Sequence, residues 1–245
     1  MQASARRDGE DWILNGSKTH VNMGHDCDVT LFYAIAEEGL TSFLVDMSLP
    51  GISTRKTDPI GLRMIPTADI VFDNVRIPGS AVLGPVGAGM KTFLSTFNVS
   101  RLGNASELIG LGRRALSLGL EYAKEREVSG HKVVDFQGLQ WQFTEAWSAL
   151  YGASLARDQS IAVHRANGQI ALETSVTKLL AANAAEQASH AAHALTGGHA
   201  LYHDQPFLQV ANDIRVLRVA GGSVEVLRNY ISRAILKDDG QQGLA

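Results

Sequence analysis

The sequence predicts an α+β chain, with an antiparallel β-rich segment over residues 1–85 followed by an antiparallel four-helix bundle over residues 86–245. Three observations predict it. Short β-prone runs alternate with turn signals up to about residue 85. The apolar period then changes from that of strands to that of helices. Four of the six prolines, which interrupt helices, lie before residue 82.

In the first segment, Trp12-Ile13-Leu14 meets Asn15-Gly16, which reads as a two-residue hairpin turn, and the β pattern continues to Val21. Further strands are expected at Val29–Ala36, Thr41–Asp46, Ile52–Thr57 and Asp69–Ile77, punctuated by Glu38-Gly39, Pro50-Gly51, Asp58-Pro59 and Pro78-Gly79. After Gly87-Ala88-Gly89, residues such as Met90, Phe93, Phe97, Arg101, Ala105, Leu108 and Gly112 mark one face of a long helix reaching Tyr122. A second helix spans about Phe136–Ala166, with Leu139, Phe143, Trp147, Leu150 and Tyr151 inward and Asn167-Gly168 as its stop. A third runs over Ile170–Ala194 to Gly197-Gly198. A fourth starts at Ser223 after Gly221-Gly222 and ends by Lys237. Phe93, Phe97, Trp141 and Trp147 read as core or bundle-interface side chains.

Composition narrows the function classes. The 245 residues carry a net charge of −3, so no basic footprint points to nucleic acid. Cys27 alone allows neither an intrachain disulfide nor a multi-thiolate metal site, and fits a reducing, cytoplasmic setting. No apolar run approaches the roughly 20 residues of a membrane span. Met1–Glu10 shows no signal-peptide core. His190 and His193 lie one helical turn apart, with His199 and His203 beyond, but lack an intervening carboxylate motif, so no metal site is predicted.

A set of ordered motifs resembles the acyl-CoA dehydrogenase family. The first block is Gly61-Leu62-Arg63, Asp69-Ile70-Val71-Phe72-Asp73-Asn74-Val75-Arg76-Ile77-Pro78, Val82-Leu83-Gly84 and Gly87-Ala88-Gly89. Tyr122-Ala123-Lys124-Glu125-Arg126, Gly130 and Phe136-Gln137-Gly138-Leu139-Gln140 continue it. Gly197-Gly198, Asp213-Ile214-Arg215, Gly222-Ser223 and Arg228 close it. The resemblance implies the end of a middle β-domain, truncated at its start, and a C-terminal bundle. A helical N-terminal domain and the first β-domain strands are expected to lie outside this chain, on a longer product or a partner polypeptide.

The resemblance implies FAD as cofactor, an acyl-CoA thioester as substrate and a homo- or hetero-oligomer with FAD at a subunit interface. It assigns Arg126 to the pyrophosphate, a sensible use of a guanidinium, and Gln137 and Gly198 to the adenosine end. The flavin-facing turn corresponds to His20 and Asn22. Ser223 and Glu225 correspond to further nucleotide contacts, and Arg101 and Asn98 to substrate contacts. The two positions where relatives carry the carboxylate base are Gly221 and Ser100 here. Glycine has no proton acceptor in its side chain, and serine needs a base of its own. The family's aromatic and glutamine at two flavin contacts are Ser129 and Ala194 here.

The resemblance therefore implies α,β-dehydrogenation of an acyl-CoA, as in fatty acid metabolism, without the usual base. The alternative is a non-catalytic subunit or scaffold of a hetero-oligomeric complex. Simpler roles stand beside these: Arg126 near a helix C-terminus and Glu225 near a helix N-terminus both suit the helix dipole. Arg101, on an apolar face, is expected to pair with a carboxylate, Glu107 or Glu225 being nearest in sequence.

Overall fold

The computed structural model describes residues 3–166 and 169–237. The chain divides into two compact units, residues 1–96 and 97–245. The predicted stop at Asn167-Gly168 falls outside the described residues.

Among its described residues the first unit holds six strands: β1 (Ser4–Asp8), β2 (Asp11–Asn22), β3 (Val29–Ala36), β4 (Gly39–Asp46), β5 (Ile52–Thr57) and β6 (Thr67–Ile77). Their order in the sheet is β4-β3-β1-β2-β6-β5. All neighbours pair antiparallel except β1 and β3, which meet in parallel at Ser4 and Ile35. Alternation explains the core: Phe32 and Ala34 on β3, Phe43 and Val45 on β4, and Ile70 and Phe72 on β6 are buried on one side with Trp12 and Leu14.

Asn15-Gly16 corrects the sequence reading. It is no hairpin turn but lies inside β2, where the register against β6 shifts between Leu14 and Gly16. Gly16 has φ of 132°, and a Cβ there would stand 2.7 Å from the Ala3 Cα. The glycine thus serves a bulge and a close approach of β1. The true hairpin joins β1 to β2 through Gly9-Glu10, with Asp8 opposite Asp11. β1 itself lacks the apolar run that marks a strand, so sequence patterning does not reveal it.

The second half contains α1 (Gly89–Glu125), whose first turns fall in the first unit, and a two-strand ribbon, β7 (Glu127–Val128) with β8 (His131–Lys132). There follow α2 (Gln137–Arg165), α3 (Ala171–Thr196), a 3-10 segment (Gly197–Leu201), α4 (Phe207–Val219) and α5 (Val224–Lys237). Among the described residues five helices thus replace the expected four, because the stretch before Gly221 forms α4, burying Phe207, Val210, Ala211, Ile214 and Leu217. α3 packs against α2, α4 and α5. Its run of buried alanines, with Ala185 beside Gly112 of α1, permits close backbone approach. On α2, Leu150 is buried, but Trp141 (61 % exposed), Trp147 (54 %) and Tyr151 (53 %) lie outward, which corrects their reading as inward or core side chains. Trp147 and Tyr151 share the stripe of Phe143 and Leu150 and line an open cleft with Leu116 and Leu120 of α1, so the stripe is as expected but its outer part stays uncovered among the described residues.

Candidate functional site

The sequence-predicted residues of the second unit fall into two groups. The first surrounds the turn from Ala220 to Gly222 that joins α4 to α5. Arg101, on α1 and 7 % exposed, donates from Nε to the Gly221 carbonyl at 3.2 Å and from Nη1 to Asn98 Oδ1 and Ser175 Oγ, each at 3.1 Å. Its guanidinium also lies 4.8 Å from the Phe97 ring centroid. Among the described residues the expected carboxylate partner is not found: backbone and neutral side-chain oxygens satisfy this arginine. Burial draws its pKa below the ordinary value.

Lys178 of α3, fully buried, completes the group, and sequence reasoning does not single it out. It donates to the carbonyls of Ala220 and, at 2.7 Å, Gly222. Two buried cations thus grip three consecutive carbonyls, which orders the turn. Its place on a helix dominated by small apolar residues was the available signal, since a buried lysine needs a polar partner.

Desolvation, with help from Arg101 and Arg218, draws the Lys178 ammonium down from 10.5 to about 8. The folded state therefore holds this proton more weakly than the unfolded chain. The resulting cost is present in full below about pH 8, and stability rises as pH climbs from about 8 toward 10.5. In melting curves across that window, the native chain should gain stability relative to Lys178→Met. Parallel curves would refute the burial effect.

At the start of α5, Ser223 Oγ accepts from the Val226 N–H at 3.5 Å, as a helix cap does. Glu225 sits in the first turn, its carboxyl held below the usual range by a backbone N–H, the Ser223 hydroxyl and nearby arginines. Gly221 has φ of +69°, and a Cβ built on it would overlap the Asn104 amide nitrogen. Ser100 is exposed.

The second group lies at the other end of α1. Arg126 follows the helix, exposed, and its carbonyl accepts from the Val133 N–H at 2.9 Å. Gln137 opens α2. Tyr122 stacks on His199 with centroids 4.6 Å apart, which ties the 3-10 segment carrying Gly198 to this end of α1. Arg126, Gln137 and Gly198 are all exposed. At about 1.5 Å per residue, α1 separates Arg101 from this group by roughly 36 Å.

In the first unit, His20 and Asn22 lie at the end of β2, both exposed. The register shifts between Lys18 and Val21, and His20 takes φ of 55° with its N–H 3.4 Å from Asp69 Oδ1. The bulge turns the His20 side chain out of strict alternation, a feature that strand patterning does not reveal. Among the described residues, no group of three or more His, Cys, Asp or Glu side chains is placed to hold a metal ion, and no helix is long and apolar enough to cross a membrane.

Comparison with known proteins accounts for this arrangement. Residues 87–236 match the acyl-CoA dehydrogenase C-terminal domain and residues 1–75 its middle domain. The short-chain specific acyl-CoA dehydrogenase of rat mitochondria is 28% identical over 240 residues, covering 96% of this chain and 58% of the relative. A 3-(aryl)acrylate reductase of Clostridium sporogenes is 29% identical, with 97% and 64% covered. The solved glutaryl-CoA dehydrogenase of Mycobacterium smegmatis in complex with FADH2 superposes with a TM-score of 0.92 at 29% identity, covering 97% and 61%. This chain thus spans about three-fifths of the length of its relatives. It belongs to the acyl-CoA dehydrogenase family.

Proposed function

We propose that this chain is a subunit of an FAD-dependent oxidoreductase that dehydrogenates the α,β bond of an acyl-CoA thioester, with the boundary between its two domains near residue 85. The carrying observation is the exposed group Arg126, Gln137 and Gly198, gathered at one end of α1 through the Tyr122–His199 stack. These residues fit a dinucleotide: the guanidinium lacks a side-chain partner among the described residues, and a Cβ on Gly198 would meet nothing within 4 Å, leaving room for a ligand. When bound, FAD supplies the acceptor for a hydride from the substrate Cβ.

In this reading Arg126 neutralises the pyrophosphate, Gln137 and Gly198 enclose the adenosine end, and Asn22 and His20 meet the flavin ring by hydrogen bonding and stacking. Ser223 and Glu225 direct nucleotide hydroxyls, while Arg101 and Asn98 order the wall that faces the thioester. The roughly 36 Å between the two groups on α1 exceeds the reach of one dinucleotide. That separation supports an oligomer in which each flavin is shared by two subunits. A reducing, cytoplasmic location accords with the single cysteine, and a role in fatty acid metabolism follows from the substrate class.

The second reading, a non-catalytic subunit, is favoured by Gly221. Its left-handed φ and the adjacent Asn104 disfavour a side-chain base on this turn. The Cα proton then goes to a carboxylate of the partner polypeptide. The test is FAD titration of the full chain, alone and with its genomic neighbour, followed by bleaching with butyryl-CoA. Stoichiometric FAD is expected, and Arg126→Ala should weaken its binding at least about tenfold, the worth of a charge-assisted contact. No flavin uptake in either preparation defeats both catalytic and cofactor readings.

A further inference from the structure

A helix commonly satisfies a buried hydroxyl with its own backbone. In the second unit Ser154, Ser175 and Thr196 each donate to the carbonyl four residues back, at 2.6–2.8 Å. Ser189 of α3, only 5 % exposed, makes no such bond, and its hydroxyl has no partner among the described residues. It lines instead a cavity of about 260 Å³ between α3 and α4. A hydroxyl taken out of water without a hydrogen bond is costly, so a group that accepts from Ser189 has a place in this cavity.

The two helices run antiparallel along the cavity. Arg218 pairs with Glu186 at 2.8 Å and donates to the Ala182 carbonyl at 3.0 Å, whereas the His193 ring meets Phe207, at the opposite end of α4, with centroids 6.4 Å apart. Polar and apolar groups are sorted accordingly. Glu186, His190 and Arg215 line the end toward Arg218, and Leu201 and Leu208 line the end toward Phe207. The charges at the polar end are not equivalent. Glu186 is already neutralised by Arg218, but the described side-chain bond of Arg215 is a long one, 3.4 Å from Nη1 to Asn212 Oδ1. An incoming anion therefore meets a guanidinium with most of its donors available. The His193 ring is fixed beside it, because Nδ1 donates to the Ser189 carbonyl at 2.8 Å and leaves Nε2 over.

We propose that the cavity binds a small aliphatic monocarboxylate, its carboxylate held by the Arg215 guanidinium and the Ser189 hydroxyl and its alkyl chain directed toward Leu201 and Leu208. A carboxylate has two oxygens, so it can take a guanidinium donor and a hydroxyl donor together. The buried Ala211 and Ile214 form an apolar floor for the chain. At roughly 30 Å³ for each water-sized group, the volume holds fewer than about ten non-hydrogen atoms. That is too few for a nucleotide or a coenzyme A thioester, and enough for a short alkyl acid. Arg126, Gln137 and Gly198 do not line the cavity, so the inference does not depend on the flavin reading.

The test titrates the purified full chain with sodium hexanoate and follows the imidazole carbon–proton signals of His190 and His193 by NMR. Saturable shifts are expected with a Kd of about 1 mM or tighter, the range open to so small a ligand. Arg215→Gln, at an exposed position, should weaken binding at least about tenfold, and Ser189→Ala about threefold or more, the worth of a charged and of a neutral hydrogen bond. Melting curves show that both variants fold. Hexan-1-ol, which lacks the charge, and inorganic phosphate, which lacks the chain, should each bind at least about tenfold more weakly than hexanoate. Four results overturn the proposal: no saturation at about ten times the expected Kd, unchanged affinity in either folded variant, equal affinity for hexanol or phosphate, or displacement of hexanoate by FAD. FAD titration of the same preparation keeps the two readings apart. Hexanoate binding without flavin uptake rejects the flavin reading alone, and flavin uptake without hexanoate binding rejects this site alone.

Discussion

Arg101→Met should destabilise the chain by about 3 kcal/mol and lower its melting temperature by roughly 6–12 °C. The variant removes donors from the Gly221 carbonyl, Asn98 and Ser175 together, at a residue only 7 % exposed. Two effects oppose each other. Relief of guanidinium desolvation favours methionine, which fills similar space. Stranding the Gly221 carbonyl costs about 1–3 kcal/mol, and loss of a charged donor makes each bond worth more than a neutral one, although the Ser175 hydroxyl keeps its own bond to the Ala171 carbonyl at 2.6 Å. The second effect wins, because among the described residues no other side chain donates to the Gly221 carbonyl. Arg101→Lys should recover part of the loss, since an ammonium cannot span three acceptors in the guanidinium's planar arrangement. A melting shift below about 2 °C for Arg101→Met would show that volume alone matters at this site.

Gly221→Glu is expected to cost about 2 kcal/mol, a melting decrease of roughly 4–8 °C, and Gly221→Ala nearly as much. The shared loss follows from φ of +69°, a backbone conformation that costs an L-residue about 1–2 kcal/mol. The overlap with Asn104 is the smaller contribution, because its amide is the far end of a side chain that can rotate. Asn104→Ala combined with Gly221→Glu should therefore recover less than about 1 kcal/mol. Gly221→Asn, a residue that tolerates this region, should be the mildest of the series. Thermal melts of the four variants decide it: a glutamate variant as stable as the native chain would mean that the turn readily accepts the family's base.

How far the site was legible depends on the residue. Arg126, Gln137 and Gly198 stand out through motifs, and tertiary contacts bring their segments together through Tyr122 and His199. Arg101 stands out as well, but its partners do not, because a carboxylate is the usual answer to a buried cation and backbone carbonyls leave no mark in a sequence. Lys178 lies 43 positions before Gly221 on a different helix, counted as 221 less 178, so no local spacing could link them. The strands β3 and β5 are legible to the residue because alternation and turn residues are local. The Asn15-Gly16 bulge is not, since the same dipeptide serves a hairpin or a bulge according to which strand lies beside it.

By itself, the sequence determined the order of strands before helices, the family to which the chain belongs and the absence of a carboxylate at positions 221 and 100. These depend on residue identity and short-range period. Only the tertiary structure decided that two buried cations hold the α4–α5 turn, that the Gly221 backbone disfavours most side chains, and that Asn15-Gly16 forms a bulge beside β1. The physical reason is range. Side-chain period and turn chemistry act over a few residues, whereas burial of a charge, satisfaction of a carbonyl and pairing of a strand edge are settled by groups that folding brings together.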